Sequence, residues 1–213
     1  MRMLLLALAL TAAATAAFPQ APQSRAEALA GLRSPDAMAR AEAIVWIANR
    51  GAPADAALLQ ERLRDESAFV RGYAEKGLWL LWSRSGDAAI DRLMAKGSEE
   101  MELEKYKEAI QTFSEVIRRK PEFAEGWNRR ATVHYLAGDY ARSMADCDEV
   151  LKRNPSHFGT LSGLGQIHLK LEQHEQALAW FRRALEANPN LTGVEDNIRD
   201  LEQLLKEKRA RST

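Results

Sequence analysis

From Arg25 onward the apolar residues recur at spacings of three and four, the period of helices with one buried face. Phe69, Val70, Ala74, Leu78, Leu81 and Trp82 make one such stripe. Val194, Ile198, Leu201 and Leu205 make another, with acids and bases on its opposite side. Turn-forming residues cut the pattern into separate helices. Asn49-Arg50-Gly51-Ala52-Pro53 ends one helix and Ser85-Gly86 another, while Asp55, Ser67 and Asp87 stand where N-caps are expected. Thr192-Gly193-Val194-Glu195 has the Ser/Thr-x-x-Glu form of a capping box at the head of the final stripe. The stretch Leu78-Trp79-Leu80-Leu81-Trp82 reads as a buried helix interface rather than a ligand site.

Two periods organise these helices. Leu32-Arg33-Ser34-Pro35-Asp36-Ala37-Met38-Ala39-Arg40-Ala41-Glu42-Ala43 matches Leu63 to Ala74 at an offset of thirty-one, with Leu, Arg, Ala, an apolar pair, Arg and Ala recurring. This resembles the HEAT-like repeat, in which a short helix, a turn and a second helix with an inward Arg make each unit. Further on, Pro121, Pro155 and Pro189 stand thirty-four residues apart, and their surroundings recur at the same spacing. Gly97, Ala109 and Phe113 lie ahead of the first proline. Trp127, Ala131, Gly138 and Tyr140 precede the second, and Gly165, Ala177, Phe181 and Ala184 the third. Small residues at facing positions let paired helices approach, aromatics fill the wedge between them, and proline ends the second helix because it has no N–H to donate. The period and these residues resemble the tetratricopeptide repeat over about half of the chain.

The expected fold is therefore all-α, a right-handed α-solenoid of helical hairpins. The segments are a signal peptide at 1–17, a flexible lead-in at 18–24 and HEAT-like repeats at 25–86. Three tetratricopeptide repeats follow within 87–191 (90–123, 124–157, 158–191), then a capping helix and tail at 192–213. No long linker parts the two repeat types, which predicts one composite solenoid. Lys96 and Glu100 depart from the apolar residues usual in the first repeat, as suits a unit whose neighbour is of another type.

Composition narrows the function. With 30 basic and 30 acidic side chains the chain has no cationic surplus, which argues against a nucleic-acid partner. Arg2, the apolar run Met3 to Leu10 and the small residues Thr11 to Ala17 read as an export signal cleaved after Ala16 or Ala17, giving a periplasmic or secreted protein. An uncleaved membrane anchor is the alternative. The single cysteine, Cys147, excludes an intramolecular disulfide.

The repeat register also accounts for most of the chemically suggestive residues. His134 and His168 occupy an aromatic position of the repeat, His174 aligns with Tyr106 and Tyr140, and Cys147 aligns with Phe113 and Phe181. All four read as packing residues. Asp146-Cys147-Asp148-Glu149 lacks the glycine and later glutamate of a calcium loop, and Gly163-Leu164-Gly165 lies in a helix without the third glycine of a phosphate loop. No catalytic residue, cofactor site, metal site or small-molecule substrate is expected.

What remains is a contact surface. The face of each repeat's first helix opposite its buried side carries Met94, Ser98 and Met101, then Asn128, Thr132 and Tyr135, then Ser162, Gln166 and Leu169, all uncharged and flanked by Arg129 and Lys170. In the family this face lines a concave groove that holds a peptide, and the resemblance implies a protein-interaction scaffold or adaptor of the cell envelope with a protein or peptide partner. Chaperone-binding relatives clamp a terminal carboxylate with Lys and Asn here, where this chain has Met94 and Ser98, which argues against such a clamp. The alternative is a self-associating structural subunit.

Overall fold

Side-chain caps start the first hairpin. In the computed structural model, which describes residues 21–211, Ser24 accepts a hydrogen bond from the Glu27 N–H at the head of α1 (Arg25–Gly31). Asp36 accepts from Met38 and Ala39 at the head of α2 (Ala37–Arg50). A short 3-10 turn (Pro53–Asp55) leads into α3 (Ala56–Arg62), and α4 (Ala68–Ser83) completes a second hairpin. Ile44, Ile47, Leu59, Leu78 and Leu81 are fully buried between the two pairs. Of the three expected caps only Asp87 acts through its side chain, accepting from Ala89 and Ile90. Asp55 turns back to Ala52 N–H at 2.8 Å, and Ser67 gives its own N–H to Asp65 at 3.0 Å.

The thirty-one-residue offset has a structural counterpart in two arginines. Arg40 donates to the backbone carbonyls of Ser34 and Pro35 and closes a fork on Asp65, at 2.9 and 2.8 Å. Arg71, its equivalent, donates to the carbonyls of Asp65 and Glu66, but its Nε goes to Asn190 Oδ1 at 2.7 Å. A loop far along the chain thus occupies the place where a third unit would bring its aspartate.

Three further hairpins follow: α5 (Ala88–Glu102) with α6 (Tyr106–Arg119), α7 (Ala124–Leu136) with α8 (Tyr140–Arg153), and α9 (Phe158–Lys170) with α10 (His174–Ala187). Their close pairing depends on glycine: a Cβ at Gly97 would lie 2.7 Å from the Phe113 ring, and one at Gly165 would lie 2.5 Å from Phe181. The hairpin turns place Glu104, Gly138 and Glu172 at the same repeat position with φ of 57°, 77° and 58°. Only glycine adopts that left-handed conformation without a steric penalty, so Glu172→Gly should raise the unfolding free energy by about 1 kcal/mol in urea titration. A last helix, α11 (Thr192–Arg211), lays Val194, Leu201 and Leu205 on the α9–α10 hairpin. Thr192 is its first helical residue, the Leu191 carbonyl accepting from Val194 and Glu195, so the helix is capped one residue earlier than the capping-box reading expects. No described helix is long and apolar enough to cross a membrane.

The N-terminal hairpins pack against the third of the later hairpins as well as preceding the first in sequence. Helix α4 lies across the loops at the heads of α9 and α11. Trp79 and Trp82 meet the ring of Phe158 at 5.2 and 5.1 Å, and Phe158 belongs to the N-terminal core. Asn188 donates to Glu75 at 3.0 Å, Asn190 donates to the Leu63 carbonyl at 2.8 Å, and Gln60 and Arg64 bond to Ser156 and the Glu186 carbonyl. The Trp-rich stretch is an interface helix, as its pattern implies, and its partner is the third hairpin of the later array.

Candidate functional site

Helices α7 and α9 run side by side, and the space between them opens into a cavity of about 260 Å³. Asn128, Thr132 and Tyr135, spaced at i, i+4 and i+7 on α7, form one wall. Thr160, Gly163 and Gln166 of α9 form the other, and Ala131 with Ser143 and Cys147 of α8 lies beneath. None of the eleven lining residues is charged. At the head of α9 Gly159 lines the cavity and also touches Trp79, since a Cβ added there would stand 2.4 Å from that indole. The N-terminal hairpins therefore border the site.

A buried polar chain positions the α7 wall. Glu125 is 2% exposed, yet Arg129 donates to it at 2.9 Å, the Asn128 amide at 3.2 and 3.1 Å, and His157 lies 3.4 Å away. Burial alone would push this carboxyl up. The hydrogen bonds from His157 and the Asn128 amide, with the charge of Arg129, outweigh it and hold the group below its ordinary value. His157 is fully buried and caps α9: its Nδ1 accepts from Thr160 N–H at 3.1 Å, which leaves the neutral ring's proton on Nε2, toward Glu125. Trp82 stacks on the same imidazole at 4.6 Å. Asn128 Oδ1 accepts from the Thr160 hydroxyl at 3.0 Å, so its amide has a fixed orientation at the cavity. His157 is the histidine for which the repeat register supplies no role. Its position directly before a helix was the available signal.

The remaining chemically suggestive residues are accounted for by packing and pairing. Arg130 forks onto Asp146 at 2.8 and 2.7 Å, and Glu149 is held by Lys152 and Arg153. Burial, with the charges of Asp146 and Asp148, pushes the Cys147 thiol up to about 12, so it carries almost no thiolate near neutral pH. Burial likewise lowers His134, against the pull of Asp146. His168 lies 2.6 Å from the Gln173 side chain and stacks on Trp180.

Of the nine aligned positions, Asn128, Thr132, Tyr135 and Gln166 share the cavity. Met94 does not belong to that surface. It is 9% exposed and packs with Ile90, Phe113 and Val133, and the end of α4, at Leu80, Ser83 and Arg84, shares a cleft with it. Met101 packs against the same first-hairpin core and Leu169 against the cluster that α11 completes. Ser98 and Ser162 are half-exposed beyond the cavity lining, Arg129 is committed to Glu125, and Lys170 is exposed. The nine form no single groove; the four around the α7–α9 space do.

Comparison with known proteins bears on the hairpins themselves. The tetratricopeptide repeat family matches residues 94–157 and again 160–191. A TPR repeat-containing protein of Rhizobium etli is 34% identical over 126 residues, 59% of this chain and 62% of the relative. Hsp70-Hsp90 organizing protein 1 of Glycine max is 27% identical over 109 residues, 51% of this chain and 19% of the relative. The chain thus spans less than two thirds of either. The first TPR of Spaghetti (RPAP3), solved bound to the HSP90 peptide SRMEEVD, superposes with a TM-score of 0.52 at 25% identity over 55% of this chain and 93% of that one. The Sgt2 TPR domain from Aspergillus fumigatus shares the fold, with a TM-score of 0.54 at 17% identity over 58% of this chain and 83% of that one. The hairpins over 94–157 and 160–191 are tetratricopeptide repeats.

Proposed function

We propose that this chain is a non-enzymatic protein-interaction adaptor that holds a segment of a partner protein in the groove between α7 and α9. The observation that carries the reading is the uncharged cavity lined by Asn128, Thr132, Tyr135 and Gln166, with the Asn128 amide locked in orientation by buried Glu125. A related repeat domain binds an HSP90 peptide. This chain has Met94, buried, and Ser98 where a carboxylate clamp would need a cation, so a neutral stretch of partner fits better than an acidic terminus.

The N-terminal hairpins are HEAT-like repeats in this proposal, a reading supported by the matching carbonyl contacts of Arg40 and Arg71. Export to the cell envelope is proposed from the sequence of residues 1–17, which lie outside the described residues. The triple variant Asn128→Ala, Thr132→Ala, Tyr135→Ala removes the α7 wall, together with the Asn128 hydrogen bonds to Glu125 and Thr160 and the Tyr135 ring contact with Tyr140. In a pull-down from an envelope fraction it should lose the partners that the unaltered chain recovers, at unchanged circular dichroism. Identical partners from both would sink the groove reading.

Self-association is the second reading, favoured by the exposed Met38, Phe69, Tyr73 and Leu80 on α2 and α4. Light scattering after size exclusion distinguishes the two: a stable oligomer that Phe69→Asp breaks apart would favour it.

A further inference from the structure

The cavity exists because the middle repeat breaks a pairing that its neighbours keep. In the first and third repeats a glycine faces a phenylalanine, Gly97 with Phe113 and Gly165 with Phe181, and the ring fills the space that the missing side chain leaves. The middle repeat has Ala131 facing Cys147 at the same positions. One added methyl does not replace a phenyl ring, and Ala131 and Cys147 both line the cavity. On the opposite wall α9 presents Gly163, where an added Cβ would meet nothing within 4 Å.

We propose that this hole is a specificity pocket that receives one uncharged apolar side chain, of leucine, methionine or phenylalanine size, from an extended partner segment. The inference rests on the groove reading above and adds the class of residue that the groove selects. Charge complementarity restricts the occupant: a charged head among eleven uncharged lining residues would be desolvated without a counter-ion. Size restricts it as well. A dry cavity of about 150 Å³ is enough to bind benzene, and this one, at about 260 Å³, admits a larger side chain with part of its backbone. Ile167 and Tyr135 supply apolar wall, while the Gln166 amide lines the same cavity and can bond to the partner's main chain. Asn128 serves a different purpose, since Glu125 and Thr160 already engage its amide.

Two variants close the pocket from different walls. Cys147→Phe alone would force a ring against the Ala131 methyl, so it is combined with Ala131→Gly to recreate the flanking pairing. Gly163→Leu projects into the cavity without touching the core. Isobutylbenzene is the probe for the cavity, read by thermal shift and by the chemical shifts of the Ile167 methyls. A phage-displayed linear peptide library is the probe for the groove. The unaltered chain should bind isobutylbenzene saturably and select peptides with an apolar residue at one fixed position. Both variants should lose the probe and weaken those peptides by about tenfold to a hundredfold, the burial of one apolar side chain. Failure of isobutylbenzene to bind, selected peptides without an apolar position, or closed variants that bind those peptides as tightly as the unaltered chain would each overturn the pocket while leaving the groove intact. Binding of isobutylbenzene without any peptide selection would instead bring down the groove reading, and the inference with it.

Discussion

Replacing Arg40 by methionine should lower the unfolding free energy by about 3–5 kcal/mol, the cost of leaving one member of a buried ion pair without its partner. The Arg40 and Asp65 side chains are 6% and 4% exposed. Without the guanidinium, the Asp65 carboxylate keeps only the Ser67 N–H at 3.0 Å and Arg62 at 3.8 Å. The carbonyls of Ser34 and Pro35 lose their donor at the same time. Urea titration checks the loss, and a change below about 1 kcal/mol would mean that water reaches the carboxylate. The companion Arg40→Met, Asp65→Leu should recover much of it, because an apolar pair of similar volume carries no desolvation penalty.

The same pair sets a pH dependence. Burial pushes the Asp65 carboxyl up, but the Arg40 hydrogen bonds, the Ser67 N–H and the charges of Arg40 and Arg62 hold it below its ordinary value. A folded-state value below the unfolded one contributes stability that is fully present above about pH 4 and is lost as pH falls through the folded value. In Arg40→Met burial prevails, and this contribution should vanish or change sign.

Phe158→Ala should cost about 3–5 kcal/mol by opening a cavity in a filled core. Its consequence is more specific than the loss itself. Phe158 is 1% exposed and belongs to the third repeat of the later array, yet it packs with Leu78 and Leu81 of the N-terminal hairpins and meets both Trp79 and Trp82. Removing it weakens the joint between the two halves while leaving the hairpins of each intact. The variant should unfold in two steps, the tryptophan near-ultraviolet signal falling before the helical signal. Coincident transitions at an unchanged midpoint would show that the remaining contacts across the joint, among them those of Asn188 and Asn190, hold the halves together without the Phe158 ring.

The tetratricopeptide hairpins were legible because their determinants are local and periodic. Pro121, Pro155 and Pro189 mark helix ends wherever they occur, and Gly97 with Phe113, or Gly165 with Phe181, pair within one hairpin at a constant offset. The groove was legible in part for the same reason. Asn128, Thr132 and Tyr135 share a face by helical geometry, while Met94, aligned with Asn128 in sequence, is buried in a core cluster with Ile90, Phe113 and Val133. Glu125 and His157 were not legible, since their partnership crosses a repeat boundary and stands under Trp82.

By itself the sequence determined the helices and the pairing of each hairpin, because both depend on side chains a turn or a hairpin apart. Tertiary structure alone decided how the two kinds of hairpin meet and where the accessible surface lies. Arg71 reaches Asn190, and Trp79 reaches Gly159, across separations that no repeat period encodes. Such contacts follow from the shape complementarity of surfaces that exist only once the hairpins have formed.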